Sequence, residues 1–355
     1  MKALFIGGTG VISAAISREV IRRGEWELYL LNKGSRNDEL PDGFKHIKAD
    51  INDEKAVSEL IGGTSFDVVA DFIAFVPEQL ERDYRLFKDK TGQFIFISSA
   101  SAYQKPLPDY RVSEATPLSN PYWRYSRDKI ACEDYLMKKY GEEGFPVTIV
   151  RPSHTYDERY VPLGVHGAKG SWQTAKRMLD GKPVIVHGDG TSLWTMTHNS
   201  DFARAFVGLM GNLRAVGEAV QITSDEALTW NRIYKAIADA LNVEFKPYYA
   251  PSDFLAKCSE YDFTGSLIGD KSNSVVFDNA KLKRLVPGFT AVKRFDQGVR
   301  ETVENILARK ELQIEDPEFD EWCDGVIAAM DAAVEQIKLK ARTAAVYNRT
   351  IPPIK

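Results

Sequence analysis

Gly7-Gly8-Thr9-Gly10-Val11-Ile12-Ser13 lies between the apolar run Ala3-Leu4-Phe5-Ile6 and a segment, Val11 to Ile21, whose apolar residues recur at helical spacing. Glycines at the end of a strand permit a tight turn. They also let backbone N–H groups approach an anion seated at the N-terminus of the following helix. Ser13, at the third small position, still allows the helix to pack close to the strand. Strand, glycine loop and helix in this order form the phosphate-binding turn of a dinucleotide fold. Gly7, Thr9, Gly10, Val11 and Ile12 are therefore expected around a pyrophosphate.

The first half of the chain keeps the same alternation. Glu27 to Leu31, His46 to Ala49, Asp67 to Phe72, Gln93 to Ser98 and Pro146 to Val150 read as further strands. Helical segments separate them: Asp53 to Ile61 with Asp53 as its cap, Pro77 to Phe87 with proline in the first turn, and Pro121 to Tyr140. The fifth strand is almost wholly apolar, as burial on both faces requires. Repeated β-α-β units predict an α/β fold, a Rossmann doubly wound parallel sheet with helices on both faces.

After Arg151 the pattern loosens. Arg159 to Trp172 and Tyr248 to Asp270, rich in Gly, Pro and aromatics, read as loops over a cleft. Val184 to His187 and Ala219 to Ile222 are expected to rejoin the sheet. The expected organisation is a dinucleotide-binding Rossmann domain over 1–155 with returns near 183–225, and a smaller interleaved C-terminal substrate lobe over 156–182 and 226–310. A charged helical tail over 311–355 either caps the core or meets a second copy in a homodimer.

The 355 residues exceed one compact core, and a net charge of −4 argues against a nucleic-acid partner, which needs a basic face. Cys132, Cys258 and Cys323 are widely spaced, which suits a reducing compartment. No apolar run reaches the roughly 18 residues of a membrane span, and Met1-Lys2 leads straight into a strand, so a cytoplasmic location is expected. His166, His187 and His198 lack ligand spacing, and no metal site is expected.

The second strand should end beside the adenosine ribose, where an acidic residue would select NAD. Asn32, Lys33 and Arg36 stand there instead. Lys33 or Arg36 either meets a 2′-phosphate or is a solvated loop charge, and Asn32 can bond a plain ribose. The expected cofactor is NAD(P)(H), with the charge favouring NADP.

Hydride exchange with a carbinol needs a proton acceptor whose pKa is brought towards neutrality, and a lysine one turn from a tyrosine favours phenolate. Tyr-x-x-x-Lys occurs at Tyr29/Lys33, Tyr84/Lys88, Tyr125/Lys129 and Tyr135/Lys139. Tyr29 lies in a strand, Tyr84 on the helix before the fifth strand, and Tyr135 too deep in its helix. Tyr125, near a helix start just after a loop, pairs with Lys129 as the expected catalytic couple. The fifth strand ends in Ser98-Ser99-Ala100-Ser101, which puts hydroxyls at the carboxyl edge without choosing among them.

These residues in this order resemble the short-chain dehydrogenase/reductase superfamily, in its extended NAD-dependent epimerase/dehydratase branch. The resemblance runs from Met1 to about Leu209, more weakly to about Leu307. Its markers are the glycine loop, Asp50-Ile51, the serine strand, Tyr125/Lys129, Arg151-Pro152 and Gly188-Asp189-Gly190. It implies Ser99 as the catalytic hydroxyl, four residues before Tyr103. It also implies Asp50 and Ile51 beside the adenine, Phe72, Ile73 and Ala74 along the far side of the cofactor, and Ser98, Pro152 and Ser153 near it.

Two departures bear on the substrate. The branch's arginine clamp for a nucleotide diphosphate falls on Trp194, and its Asn-x-Tyr-Gly reads His154-Thr155-Tyr156-Asp157, so Ser101, His154 and Trp194 join Ser99 as expected substrate contacts. The implied function is an NAD(P)-dependent oxidoreductase or epimerase acting on a hydroxyl or carbonyl of a sugar or polyol derivative. No Asp-Glu pair follows Ser99, which ranks dehydration lowest. The alternative is a non-catalytic dinucleotide-binding relative that binds RNA or a protein partner.

Overall fold

The computed structural model describes residues 1–350. Its first half alternates as expected: β1 (Lys2–Ile6), α1 (Val11–Arg23), β2 (Glu27–Asn32), β3 (Phe44–Lys48), α2 (Glu54–Ile61), β4 (Val68–Asp71), α3 (Pro77–Phe87) and β5 (Phe94–Ile97). Then come the short β6 (Arg111–Val112), α4 (Arg124–Glu143), β7 (Val147–Pro152) and β8 (His154–Tyr156). The middle contributes α5 (Trp172–Leu179), β9 (Val184–His187), β10 (Leu193–Trp194), β11 (Met196–His198), α6 (Asn199–Leu209) and β12 (Glu218–Ile222). The remainder holds β13 (Leu228–Thr229), α7 (Trp230–Ala240), β14 (Pro247–Ala250), α8 (Ser252–Lys257), β15 (Val276–Phe277), α9 (Ala280–Leu285), α10 (Phe295–Ala308) and α11 (Pro317–Thr350).

Seven parallel strands form the central sheet in the order β12-β7-β5-β4-β1-β2-β3. β4, β5 and β7 are buried at every position, because helices cover both faces. On one face Ile16 and Val20 of α1 meet Phe202 and Phe206 of α6; on the other, Val57, Leu80, Phe87 and Leu136 fill the space under α2, α3 and α4. Strand order reverses between β1 and β4, so a crevice opens at their carboxyl ends, where a doubly wound sheet binds ligands.

The second lobe has its own core around Trp172, Trp194, Trp230 and Tyr234. Two expectations are corrected here. β9 does not return to the main sheet: it pairs in parallel with β14, and only β12 rejoins. Tyr248 to Asp270 is not a plain loop either, since it carries β14, α8 and a π-helix, Thr264–Lys271. The tail does cap the core. Phe319, Cys323 and Val326 of α11 pack on Val165, Ile185 and Leu255. Arg177, wholly buried on α5, donates to Asp320 and Asp324 at 2.7 Å each. The expected tail runs to residue 355, and residues 351–355 lie outside the described residues.

Candidate active site

The glycine loop is shaped by sterics as well as by sequence. Gly7 and Gly8 have φ of 103° and 93°, a region that side chains rarely adopt. A Cβ on Gly8 would stand 2.6 Å from Leu30 Cδ2, and one on Gly7 would stand 3.2 Å from Ile73 Cγ2. Gly10 precedes α1, and its N–H donates to Ser13 Oγ at 2.8 Å. Among the described residues the N–H groups of Val11 and Ile12 find no acceptor. An open first turn behind a loop too tight for side chains fits a pyrophosphate.

The adenosine side is built differently from the simplest reading. Asn32 Nδ2 donates to the Gly7 carbonyl at 2.8 Å and its Oδ1 accepts from Gly34 N–H at 2.8 Å, so this side chain braces the loop. Lys33 forms an ion pair with Asp50 at 2.8 Å, which holds the Asp50 carboxyl below its usual range. Arg36 is exposed and has no ion pair among the described residues. Ile51 is buried under the sheet edge. Past β4, Asp71 Oδ1 accepts from the N–H groups of Ile73 and Ala74 at 2.6 and 2.9 Å, which curls the turn Phe72-Ile73-Ala74 along the crevice. Asp71 was not singled out from sequence, since an aspartate ending a strand reads as an ordinary turn residue.

The end of β5 separates the serines by direction. Ser98 Oγ donates to buried Glu133 on α4, which leaves only its backbone to face a ligand. Ser101 Oγ, also buried, accepts from Ser126 Oγ at 2.8 Å and stands 2.9 Å from Ser99 Oγ. Ser99 is the half-buried member, and its hydroxyl lowers the pKa of Tyr125, with which it lines one cavity.

α4 begins at Arg124 rather than Pro121, because Trp123 is still extended at φ −127° and ψ 119°. Tyr125 is thus in the first turn, closer to the crevice than the longer helix would put it. Burial raises its pKa, and the nearby Ser99 hydroxyl opposes that rise. Lys129 Nζ donates to the carbonyls of Ala74 and Ile97 at 2.7 and 2.8 Å and lies 5.8 Å from the Tyr125 ring centre. Burial brings Lys129 down to about 8, with Asp71 and Glu133 partly opposing. Lys129 turns two of its N–H groups to backbone carbonyls, and burial of the phenol is the largest influence on the Tyr125 pKa.

Ser99, Tyr125, Pro152, Ser153 and His154 open on one cavity of about 380 Å³. Ser101 and Trp194 also line it. His154 is held neutral, its pKa lowered by burial to about 3, and its Nδ1 has no partner. Trp194 stacks on Trp230 at 5.7 Å, with its indole N–H unpartnered. Tyr160 and Asp270, from segments expected over the cleft, also line it, as do Lys105, Trp123 and Lys271, which sequence reading did not place in a site. Among the described residues no three His, Cys, Asp or Glu side chains gather as a metal site, and no helix is long and apolar enough to cross a membrane.

A profile of the NAD dependent epimerase/dehydratase family matches residues 3–223. The chain is 23% identical over 290 residues to the 2'-dehydrokanamycin reductase of Streptomyces kanamyceticus, spanning 81% of this chain and 80% of that one. It is 27% identical over 253 residues to the chloroplast stem-loop binding protein of 41 kDa b from Arabidopsis thaliana, spanning 67% of this chain and 63% of the relative. Among solved structures, UDP-glucuronic acid 4-epimerase from Bacillus cereus in complex with NAD superposes with a TM-score of 0.68 at 19% identity, over 88% of this chain and all of that one.

Proposed function

The chain belongs to the NAD-dependent epimerase/dehydratase family, and we propose that it is an NAD(P)-dependent oxidoreductase or epimerase acting on a hydroxyl or carbonyl of a small sugar or polyol derivative. The observation that supports this reading is that Ser99 and Tyr125 line one cavity, with Lys129 a turn behind and its Nζ 5.8 Å from the Tyr125 ring centre. A bound nicotinamide cofactor would supply the hydride carrier. The Val11 and Ile12 N–H groups would hold its pyrophosphate, and the turn shaped by Asp71 would line the cofactor. Tyr125 Oη exchanges the proton of the substrate hydroxyl, and Ser99 Oγ hydrogen-bonds the same oxygen. Lys129 has two of its three N–H bonds on carbonyls and one left for the site.

Lys33 and Arg36 support acceptance of NADP beside NAD, with Lys33 exchanging Asp50 for a 2′-phosphate. Trp194, buried against Trp230, offers no cation to clamp a nucleotide diphosphate. The non-catalytic reading draws on the likeness to a stem-loop binding protein, against which stand the net charge of −4 and the intact Ser99, Tyr125 and Lys129. Mass spectrometry of the nucleotide that co-purifies with the protein tests the choice. NAD(P) is expected; RNA retained until salt is raised, with no NAD(P), would overturn the redox reading.

A further inference from the structure

The cavity that Ser99 and Tyr125 line also carries Lys105, Asp270 and Lys271, which attract one another without forming an ion-pair contact among the described residues. Lys105 is only 4% exposed, yet its ammonium meets neither a hydrogen-bond acceptor nor an ion-pair partner among the described residues. Lys271 Nζ has one long bond, to the Ser266 carbonyl at 3.4 Å, and no ion pair. Asp270 carries a carboxylate with no lysine or arginine in ion-pair contact. Burial lowers the pKa of both lysines and raises that of Asp270. Desolvated charges left unpaired are unfavourable, and a fold retains them where something else completes them.

The wall is also rigidly placed. Asp270 and Lys271 end the π-helix, a geometry that recurs at functional sites. Asn120 Nδ2 bridges the carbonyls of Gly269 and Ser101 at 2.7 and 2.8 Å, which ties that helix to the serine turn. The Lys271 carbonyl is held by Trp230 Nε1 at 3.0 Å and His187 Nε2 at 3.2 Å. Two ammonium groups and the Asp270 carboxylate line the wall, and Asp262, outside the lining, also acts on Lys271. The volume is at the small end of ligand sites, about 300–1,000 Å³, and the reactive end of the cofactor must share it.

We propose that this wall is a specificity site for a compact sugar or polyol bearing one acidic group, a carboxylate or a phosphate monoester, with Lys105 and Lys271 holding the acid and Asp270 accepting a neighbouring hydroxyl. The proposal rests on the redox reading and deepens it. A cationic aminosugar meets two like charges there.

The test compares D-glucuronate and D-glucose 6-phosphate with D-glucose and D-glucosamine on the protein loaded with NAD or NADP. Hydride transfer is followed by absorbance of the reduced cofactor, and binding by calorimetry. At least one acidic probe should bind ten-fold or more tightly than glucose, and glucosamine should bind no better than glucose; which acid wins separates carboxylate from phosphate. Lys105→Met and Lys271→Met should each reduce the acid-to-glucose selectivity ten-fold or more, with cofactor affinity reporting the fold of each variant. Equal binding of acidic and neutral probes, or selectivity that survives both substitutions, would overturn the proposal. Selective binding of an acid without any hydride transfer would support this site while counting against the redox reading.

Discussion

Glu133 on α4 and Arg151 on β7 meet in a two-pronged ion pair, Nε to Oε1 at 2.9 Å and Nη2 to Oε2 at 2.6 Å, with both side chains buried. Ser98 donates to the same carboxylate, so one group binds α4, β5 and β7 together one turn beyond Lys129. The pair sets the height at which Tyr125 and Lys129 stand over the serine turn.

Removing one partner leaves the other charge buried. Glu133→Ala should therefore destabilise the fold by about 3–5 kcal/mol. Glu133→Gln, which keeps the Ser98 hydrogen bond but not the charge, should fall between the two. Urea denaturation midpoints report both. A loss under about 1 kcal/mol for Glu133→Ala would mean that the pair does not hold these three elements together.

Tyr125→Phe removes the phenol oxygen and little else. Turnover should drop at least 100-fold, within the span of about 10²–10⁴ for general acid–base groups, while cofactor affinity stays within a few-fold. Normal turnover would show that another group carries the proton.

Much of this arrangement is legible in the chain itself. The β-α-β rhythm and the glycine loop define the sheet, and Tyr125 stands apart from the three other Tyr-x-x-x-Lys pairs because its helix begins right after a loop. Tyr84 of α3, one of them, bonds Glu143 at the C-terminal end of α4, the opposite end from Tyr125. The choice among serines was not legible, since it depends on which way each hydroxyl leaves the strand end. β9 and β12 look alike as short apolar runs, and such runs carry no record of their pairing partner. Lys105, Asp270 and Lys271 come from a loop and a distant π-helix, and only tertiary packing brings them together.

The cofactor's 2′ position is open to a direct test. Lys33→Ala combined with Arg36→Ala should raise the Kd for NADP at least ten-fold more than the Kd for NAD, measured by fluorescence titration. Asp50→Ala, which frees Lys33 from its ion pair, should shift preference the other way. Equal effects on both nucleotides would remove these residues from phosphate recognition.

Acid lability should follow from two enclosed imidazoles. Burial lowers His154 to about 3 and His187 to about 4, so below the free histidine value of about 6.5 the unfolded chain takes up protons that the folded one refuses. Their contribution is fully present above that pH and shrinks as acid is added, by up to about 1.4 kcal/mol per pH unit for each ring. His187→Asn should flatten the fall in denaturation midpoint between pH 6 and pH 5 by roughly one proton's share. An unchanged slope would show that His187 is already protonated in the fold.

The loop geometry gives a last check. At φ +93° and 2.6 Å from Leu30 Cδ2, a methyl on Gly8 must push the buried Leu30 side chain aside. Gly8→Ala should destabilise by about 1–3 kcal/mol and weaken NAD(P) binding, whereas Gly144→Ala, at the end of α4 with open space around it, should affect stability alone.

Arg177 has a further consequence for how the polypeptide is made. Its carboxylate partner Asp320 lies 143 residues downstream, so on the ribosome the guanidinium emerges long before the group that neutralises it. A nascent chain that stops short of α11 must keep this part of the second lobe loose and hydrated. Chains cut ahead of Asp320 should therefore lose both carboxylate partners of Arg177 at once.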